Sequence, residues 1–275
     1  MFSNALVWCS VWLLGCGGLK SYNSMDTGNS GTDGISGDAD GTAPQDDTAG
    51  VNSIRYPSDI QTSILLFTGN GGAVSADPTR RGGLNAISDH WNTIGWDTQV
   101  SETLPETSDL DAYRMVGLMA PGFSDTMAFS ELQVVKLKTL LHGGARVVVF
   151  AEENSCDNPH LNTLLAELEV SIRFDGDGMG LNSIVYNAEI TPNQQTTHGV
   201  QTVRFTDPCY LNANDGTVLA SRRRADDNQV FMAVERPQQA GDVVVIGDLQ
   251  ILDDSGALLL ENNLDLAENL ASVVP

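Results

Sequence analysis

The chain has 275 residues, and 41% of them are hydrophobic, which is enough for the buried core of one large domain or two small ones. Asp and Glu total 36 against 14 Lys and Arg, so the formal net charge is −22. A surface this acidic repels phosphate backbones, which argues against nucleic acid as a partner. No long apolar run follows the N-terminal region, so we expect no internal membrane span.

The N-terminus begins with a short apolar segment. Residues 5–14 read ALVWCSVWLL, a length that is too short to span a bilayer but fits the apolar region of a secretory signal. The segment runs into Leu13-Leu14-Gly15-Cys16, which resembles the bacterial lipobox. The resemblance implies a signal peptide over residues 1–15, cleavage before Cys16, a lipid on the Cys16 thiol, and outer-membrane sorting because Gly17 follows. The alternative is an ordinary signal peptide that is cut elsewhere.

The next segment has the composition of a linker. From Ser21 to Val51 the chain is rich in Gly, Ser, Thr, Asp and Asn and almost free of large apolar residues. Such a segment cannot bury enough apolar surface to offset the entropy lost on ordering. We therefore expect a disordered acidic tether over residues 16–51 and a single folded domain over residues 52–275.

The domain alternates short apolar strands with amphipathic helices. Strands are expected at 64–67, 96–100, 115–119, 146–150, 184–186, 200–205, 218–221, 230–234 and 243–246, and helices at 83–94, 131–141, from 159 onward, and at 263–273. In the second helix, the apolar stripe comprises Leu132, Val135, Leu137, Leu140 and Leu141. Strands alternating with helices predict an α/β domain with an open, mostly parallel sheet flanked by helices. Few helices separate the later strands, so antiparallel additions are expected in the C-terminal half.

Two cysteines lie in the domain. Cys156 and Cys209 form an even pair, which in an exported domain favours a disulfide. In a cytosolic protein the same two residues would more often remain free thiols. The disulfide prediction therefore depends on the predicted export.

Four parts of the domain together resemble a known family over residues 63–273. They are LLFTGNGG, then MVGLMAPG with its following helix, then ARVVVFAEEN, and the late stretches TTHGVQTVRF, GDVVVIGDLQILDD and NNLDLAENLA. This layout resembles the class I glutamine amidotransferase-like fold, a flavodoxin-like α/β fold, in its often membrane-linked branch. Catalytic members carry a cysteine on a sharp elbow after a strand, where this chain has Phe150-Ala151-Glu152-Glu153-Asn154. The resemblance thus implies the fold without the glutaminase nucleophile.

Ligands of open α/β sheets bind at the carboxyl ends of the strands. The residues that we expect near this edge are Gly69, Asn70, Gly71, Gly72, Glu152, Glu153, Asn154 and Asp248, and His198 is a further candidate for a polar contact. The glycine-rich turn could approach an anion or simply be tight. The carboxylates could act as a base, bind a cation or cap the following turns. The four histidines lack zinc-ligand spacing, and no cofactor or metal is expected.

Two functions remain open at this point. The first is a non-catalytic binding or scaffold domain, which a lipid anchor holds at the membrane of the cell envelope and whose partner is an envelope protein or a glycan. The second is a hydrolase that uses Glu152, Glu153 and Asp248 as its carboxylates.

Overall fold

The structure is a computed structural model of the whole chain. It describes residues 63–72, 83–121, 128–152, 156–157, 159–178, 185–192, 194–224, 227–237, 241–254, 257–259 and 262–272. All of them belong to one compact unit, Tyr56–Pro275. The expected signal peptide, the lipidation site Cys16 and the tether lie outside the described residues.

Four helices and eleven strands make up the described part of the chain. The strands are β1 Ser63–Phe67, β2 Asp97–Ser101, β3 Tyr113–Met119, β4 Arg146–Phe150, β5 Arg173–Gly178, β6 Val185–Ile190, β7 Thr202–Thr206, β8 Cys209–Asn212, β9 Thr217–Arg224, β10 Asp227–Glu235 and β11 Val243–Ile246. The helices are α1 Asn85–Thr93, α2 Glu131–His142, α3 Pro159–Glu167 and α4 Asn263–Ala271. None of the helices in this part of the chain is long and apolar enough to cross a membrane.

All eleven strands join one sheet. Its main path runs β2-β1-β3-β4-β11-β10-β9-β6-β7, and β5 and β8 pair with each other beside β10. The pairings among β2, β1, β3, β4 and β11 are parallel. The pairings of β10 with its neighbours, and those of β5–β8, β6–β7 and β6–β9, are antiparallel.

The expected α/β class and the antiparallel additions are therefore confirmed, whereas a mostly parallel sheet is not. Between α3 and α4 the described chain contains no α-helix, only short 3-10 turns, so no α-helical crossover connects these strands. Hairpin connections place neighbouring strands antiparallel. The parallel part is limited to β2, β1, β3, β4 and β11.

The sheet separates two apolar layers. Along β1, Ile64 and Leu66 face the layer that includes α1 and α4, whereas Leu65 and Phe67 face the layer that includes α2 and α3. This alternation is the period of two that a strand imposes on its side chains. Because both faces of the central strands are covered, β4 and β11 are buried along their whole length.

Helix α2 buries Leu137, Leu140 and Leu141 as its leucine pattern predicts, but not the other two residues of the predicted stripe. Leu132 and Val135 are exposed, with 58% and 49% of their surface accessible. The buried set instead includes Val134 and, unexpectedly, Lys136, whose ammonium donates to the Leu104 carbonyl at 3.3 Å. The predicted stripe was wrong at Leu132 and Val135 because a list of aliphatic residues does not fix the rotation of a helix.

Candidate functional site

The turn after β1 lies at the carboxyl edge of the parallel strands and is tightly folded. Asn70 and Gly71 both adopt left-handed backbone conformations, with φ of 56° and 69°. A Cβ atom on Gly69 would lie 2.3 Å from the Glu102 carbonyl oxygen, and one on Gly72 would lie 2.8 Å from the Met119 carbonyl oxygen. Glycine is therefore needed here to let backbone segments approach each other.

Asn70 links this turn to the start of α2. Its side-chain amide and that of Gln133 exchange two hydrogen bonds, at 3.3 and 3.2 Å. Gln133 also accepts from the Ser130 backbone N–H at 2.9 Å and completes a capping box with the Ser130 hydroxyl. The Asn70 side chain is thus engaged in holding the turn against the helix.

Thr68 is a polar residue of this edge that the sequence analysis missed. Its side chain is buried, and its hydroxyl has no hydrogen-bond partner among the described residues. Its backbone N–H donates to the Ser101 carbonyl at 2.9 Å, so the residue continues the β1–β2 ladder. A signal was present, because Thr68 directly follows an apolar strand at the position where ligand-binding groups of open sheets lie.

Two of the expected carboxylates do come together. Glu152 follows β4 by two residues and Asp248 follows β11 by two, and these neighbouring strands run parallel. Both side chains are buried, with 9% and 1% of their surface accessible. Gln250 joins them, because its side-chain amide donates to Glu152 Oε1 at 2.8 Å and its backbone N–H donates to Asp248 Oδ1 at 2.8 Å.

Burial is the main reason why the pKa of Asp248 lies well above its usual range. The neighbouring Glu152 carboxylate raises this pKa further, and Asp253 adds a smaller contribution in the same direction. The backbone N–H groups of Thr206 and Gln250 act the other way, because they donate to the charged form. The protonated acid is therefore favoured at Asp248 to a higher pH than in an exposed aspartate.

Asp248 also closes the free edge of the sheet. Its Oδ2 accepts a short hydrogen bond from the Thr206 backbone N–H, at the end of β7. With Oδ1 bonded to Gln250, both carboxyl oxygens contact backbone N–H groups. This position stabilises the fold, and it leaves little of the carboxyl group accessible to a ligand.

Asn262 and Asn263 bond further backbone groups of β7, the outermost strand on this side of the sheet. Asn262 Oδ1 accepts from the Thr202 N–H at 3.2 Å. Asn263 accepts from the Arg204 N–H at 2.9 Å and donates to the Arg204 carbonyl at 3.0 Å. Every second residue of the edge strand is thus satisfied by a side chain instead of another strand.

Asp254 has a capping role of the same kind. Its carboxylate accepts from the backbone N–H groups of Asn85 at 3.2 Å and Ala86 at 2.8 Å, at the start of α1. Leu84, the N-cap residue of α1, makes no side-chain capping hydrogen bond. Asp248, for which capping was one of the predicted roles, likewise accepts from the Gln250 N–H at the start of a short 3-10 turn.

The predicted disulfide is confirmed. Cys156 and Cys209 are bonded, with an S–S distance of 1.99 Å and a Cα–Cα distance of 5.3 Å. Both cysteines are buried, and the Cys209 sulfur lies 3.4 Å from the Glu152 carbonyl oxygen. The bond ties the segment after β4 to the start of β8, directly beside the two carboxylates.

The remaining expected site residues are not part of this cluster. Glu153 and Asn154 lie outside the described residues. His198 is exposed, and its carbonyl accepts from the Asn269 side chain near the end of α4. That end of α4 contacts Arg146, the first residue of β4, so His198 lies at the amino edge of the parallel strands, opposite Asp248.

Within the described ranges, no group of three or more His, Cys, Asp or Glu side chains is arranged to hold a metal ion. The charged groups at the carboxyl edge are instead bonded to amides and backbone N–H groups.

The sequence matches no protein-family model and no curated protein. Solved structures are similar in fold. The N-terminal domain of mmIFT52 is 15% identical with a TM-score of 0.60, over 76% of this chain and 97% of that one. The cytoplasmic protein STM1381 of Salmonella typhimurium LT2 is 11% identical with a TM-score of 0.55, over 78% and 100%.

A putative ThuA-like protein of Bacteroides uniformis is 10% identical with a TM-score of 0.50, over 78% of this chain and 91% of that one. These neighbours show that the chain shares its α/β fold with ThuA-like proteins. At these identities the likeness extends to the fold alone.

Proposed function

We propose that the chain is an exported bacterial lipoprotein whose α/β domain binds a partner at the cell envelope without converting it chemically. The observation that carries this proposal is the buried Cys156–Cys209 disulfide. Structural disulfides form and persist in oxidising compartments and are rare in the cytosol. The bond therefore supports the export that the N-terminal apolar segment and the lipobox-like sequence predict.

The same bond supports binding over catalysis. A thiolate is the nucleophilic form of cysteine, and a sulfur in a disulfide is not available in that form. Cys156 comes after the elbow position at which catalytic members of the class I glutamine amidotransferase-like fold carry their nucleophile, and its sulfur is bonded to Cys209. We assign the domain to a branch of that fold that has lost glutaminase chemistry.

In this proposal, diacylglycerol on Cys16 anchors the mature chain to the outer membrane. Residues 16–51 then act as an acidic tether that separates the domain from the lipid surface. We propose an envelope protein or a glycan as the partner, since the charge of −22 disfavours nucleic acid.

The anchor is tested by fractionating cells that produce the wild-type chain, Cys16→Ala or the control Cys9→Ala. We expect the wild-type chain and Cys9→Ala to appear in the outer membrane as a shortened, lipid-bearing form. Cys16→Ala should lose the lipid, because it lacks the acceptor thiol. A wild-type chain that is full-length and soluble would contradict the proposal.

A carboxylate-dependent hydrolase is the second candidate, and the observation that favours it is the contact network between Glu152 and Asp248. A raised pKa at one of two neighbouring carboxyl groups is a feature of general-acid sites. The test compares purified wild type with Glu152→Gln on aryl glycosides and aryl esters. We expect no turnover by either protein, whereas turnover that Glu152→Gln abolishes would establish the hydrolase and reject the binding domain.

A further inference from the structure

A cavity lies between α2 and α3. It has a volume of about 360 Å³, within the range of roughly 300–1,000 Å³ that is usual for small-molecule pockets. Its apolar lining includes Phe129, Val134 and Val135 from one side and Leu164 from the other. Val135 keeps 49% of its surface accessible here.

The cavity is lined by side chains of opposite charge from the two helices. Lys138 of α2 and Glu167 of α3 both line it, and both lie in the later part of their helix. Neither side chain forms an ion pair or a hydrogen bond with another described residue. Glu131 and His160 line the cavity at the beginning of the same two helices.

Lys138 and Glu167 line the same cavity with opposite charges. An ion of either sign that lies near both side chains is attracted by one of them and repelled by the other. A carboxamide or hydroxyl group avoids this conflict, because it can accept from the lysine and donate to the glutamate. An apolar body on such a group would bury its surface against Val134 and Leu164.

We propose that the cavity between α2 and α3 binds an uncharged amphiphile, which consists of a short apolar body and an amide or hydroxyl group. This inference goes beyond the proposed function, which names no ligand, and it concerns a site separate from the Cys16 anchor and the disulfide. A failure here would leave both of those unaffected.

The test uses the full-length chain with Cys16→Ala, which carries no lipid, in its oxidised form. Three probes share a six-carbon chain: hexanamide, hexanoate and hexylammonium. Titration calorimetry should show hexanamide binding about three- to tenfold more tightly than either ion, because only the neutral probe satisfies both charges. Equal affinity for all three, or no binding of hexanamide, would overturn the proposal.

Two charge variants should shift the selectivity in opposite directions. Relative to wild type, Lys138→Gln should shift the ratio of affinities towards hexylammonium, since it leaves the carboxylates of Glu131 and Glu167, and Glu167→Gln should shift it towards hexanoate. If the ratio of the two affinities is unchanged in both variants, the probes bind elsewhere and the assigned site is wrong.

A matched pair of bulky substitutions on α2 locates the site. Val135→Trp should fill the cavity and abolish hexanamide binding, whereas Leu132→Trp, on an exposed residue outside the lining, should leave it unchanged. A change of oligomeric state in Val135→Trp alone would identify the groove as an interface between copies and would also overturn the proposal.

Discussion

At the scale of single residues, Asp248 connects the candidate site to the stability of the fold. Its carboxyl oxygens contact the N–H groups of Thr206 and Gln250, and its burial and the nearby Glu152 raise its pKa. A group whose pKa is higher in the folded state binds more protons when folded than when unfolded. The free energy of unfolding should therefore fall as pH rises from the unfolded pKa of about 4 towards the raised folded pKa.

This pH dependence is measurable with Asp248→Asn, which cannot ionise. Urea unfolding at pH 4 and pH 7 should show that the stability advantage of wild type over the variant shrinks as pH rises. The control is Asp111→Asn, which removes an exposed carboxylate by the same chemical change. A wild-type advantage that grows from pH 4 to pH 7 would contradict the raised pKa.

Asp248→Ala tests the capping contacts themselves. The substitution leaves the partly buried backbone N–H groups of Thr206 and Gln250 without their acceptor, at a cost of up to about 1–3 kcal/mol for each. We expect the free energy of unfolding in urea to fall by several kcal/mol. A loss below about 0.5 kcal/mol, the size usual for surface substitutions, would show that the contacts contribute little.

At the scale of elements, the closing of the β7 edge explains the late sequence pattern. The stretches GDLQILDD and NNLDLAENLA supply Asp248, Asn262 and Asn263, whose side chains bond the exposed backbone of β7. The resemblance to a known fold was carried partly by these residues. What these residues share is that their side chains bond the backbone of the outermost strand, and this is a structural role.

Asn263→Ala tests this edge, with Asn269→Ala as the control on the same helix. Asn263 is fully buried and makes two hydrogen bonds to Arg204, so its loss should cost about 1–3 kcal/mol in the free energy of unfolding. Asn269 makes one exposed bond to His198, and its loss should cost less than about 0.5 kcal/mol. Similar losses in both variants would contradict the edge-closing role.

The sequence predicted the strands with continuous apolar runs well, and β4 and β11 match their expected ranges. It missed β5 and β8, because RFDGDG interrupts its apolar residues with Asp and Gly and because β8 has only four residues. Strand order could be inferred only where crossover helices impose it. The antiparallel half required knowledge of long-range pairing.

The candidate site was also predictable only in part. Glu152 and Asp248 follow apolar strands directly, so the rule that places ligands at strand ends found them. His198 lies in a loop between elements of the antiparallel half, and nothing in its local sequence says which edge of the sheet that loop occupies. Gln250, which joins the two carboxyl groups, carried no apolar or charge signal at all.

At the scale of the whole molecule, the disulfide connects the segment after β4 to a strand of the antiparallel half. Its two cysteines are 53 residues apart, a loop length for which the chain-entropy estimate of stabilisation is about 4 kcal/mol. The double variant Cys156→Ala, Cys209→Ala should lower the urea midpoint accordingly, since its unfolded chain is less restricted. Reduction of the wild-type protein should give a similar loss, and an unchanged midpoint in both cases would contradict a structural role.

Export of a disulfide-bonded, lipid-anchored domain is the claim on which the proposed function depends. Intact-mass spectrometry of the chain extracted from membranes, with and without reduction before thiol labelling, tests it most directly. We predict a chain that begins at Cys16, carries added lipid mass and gains two labels in the domain only after reduction. A full-length chain without lipid, whose domain cysteines label without reduction, would contradict the account.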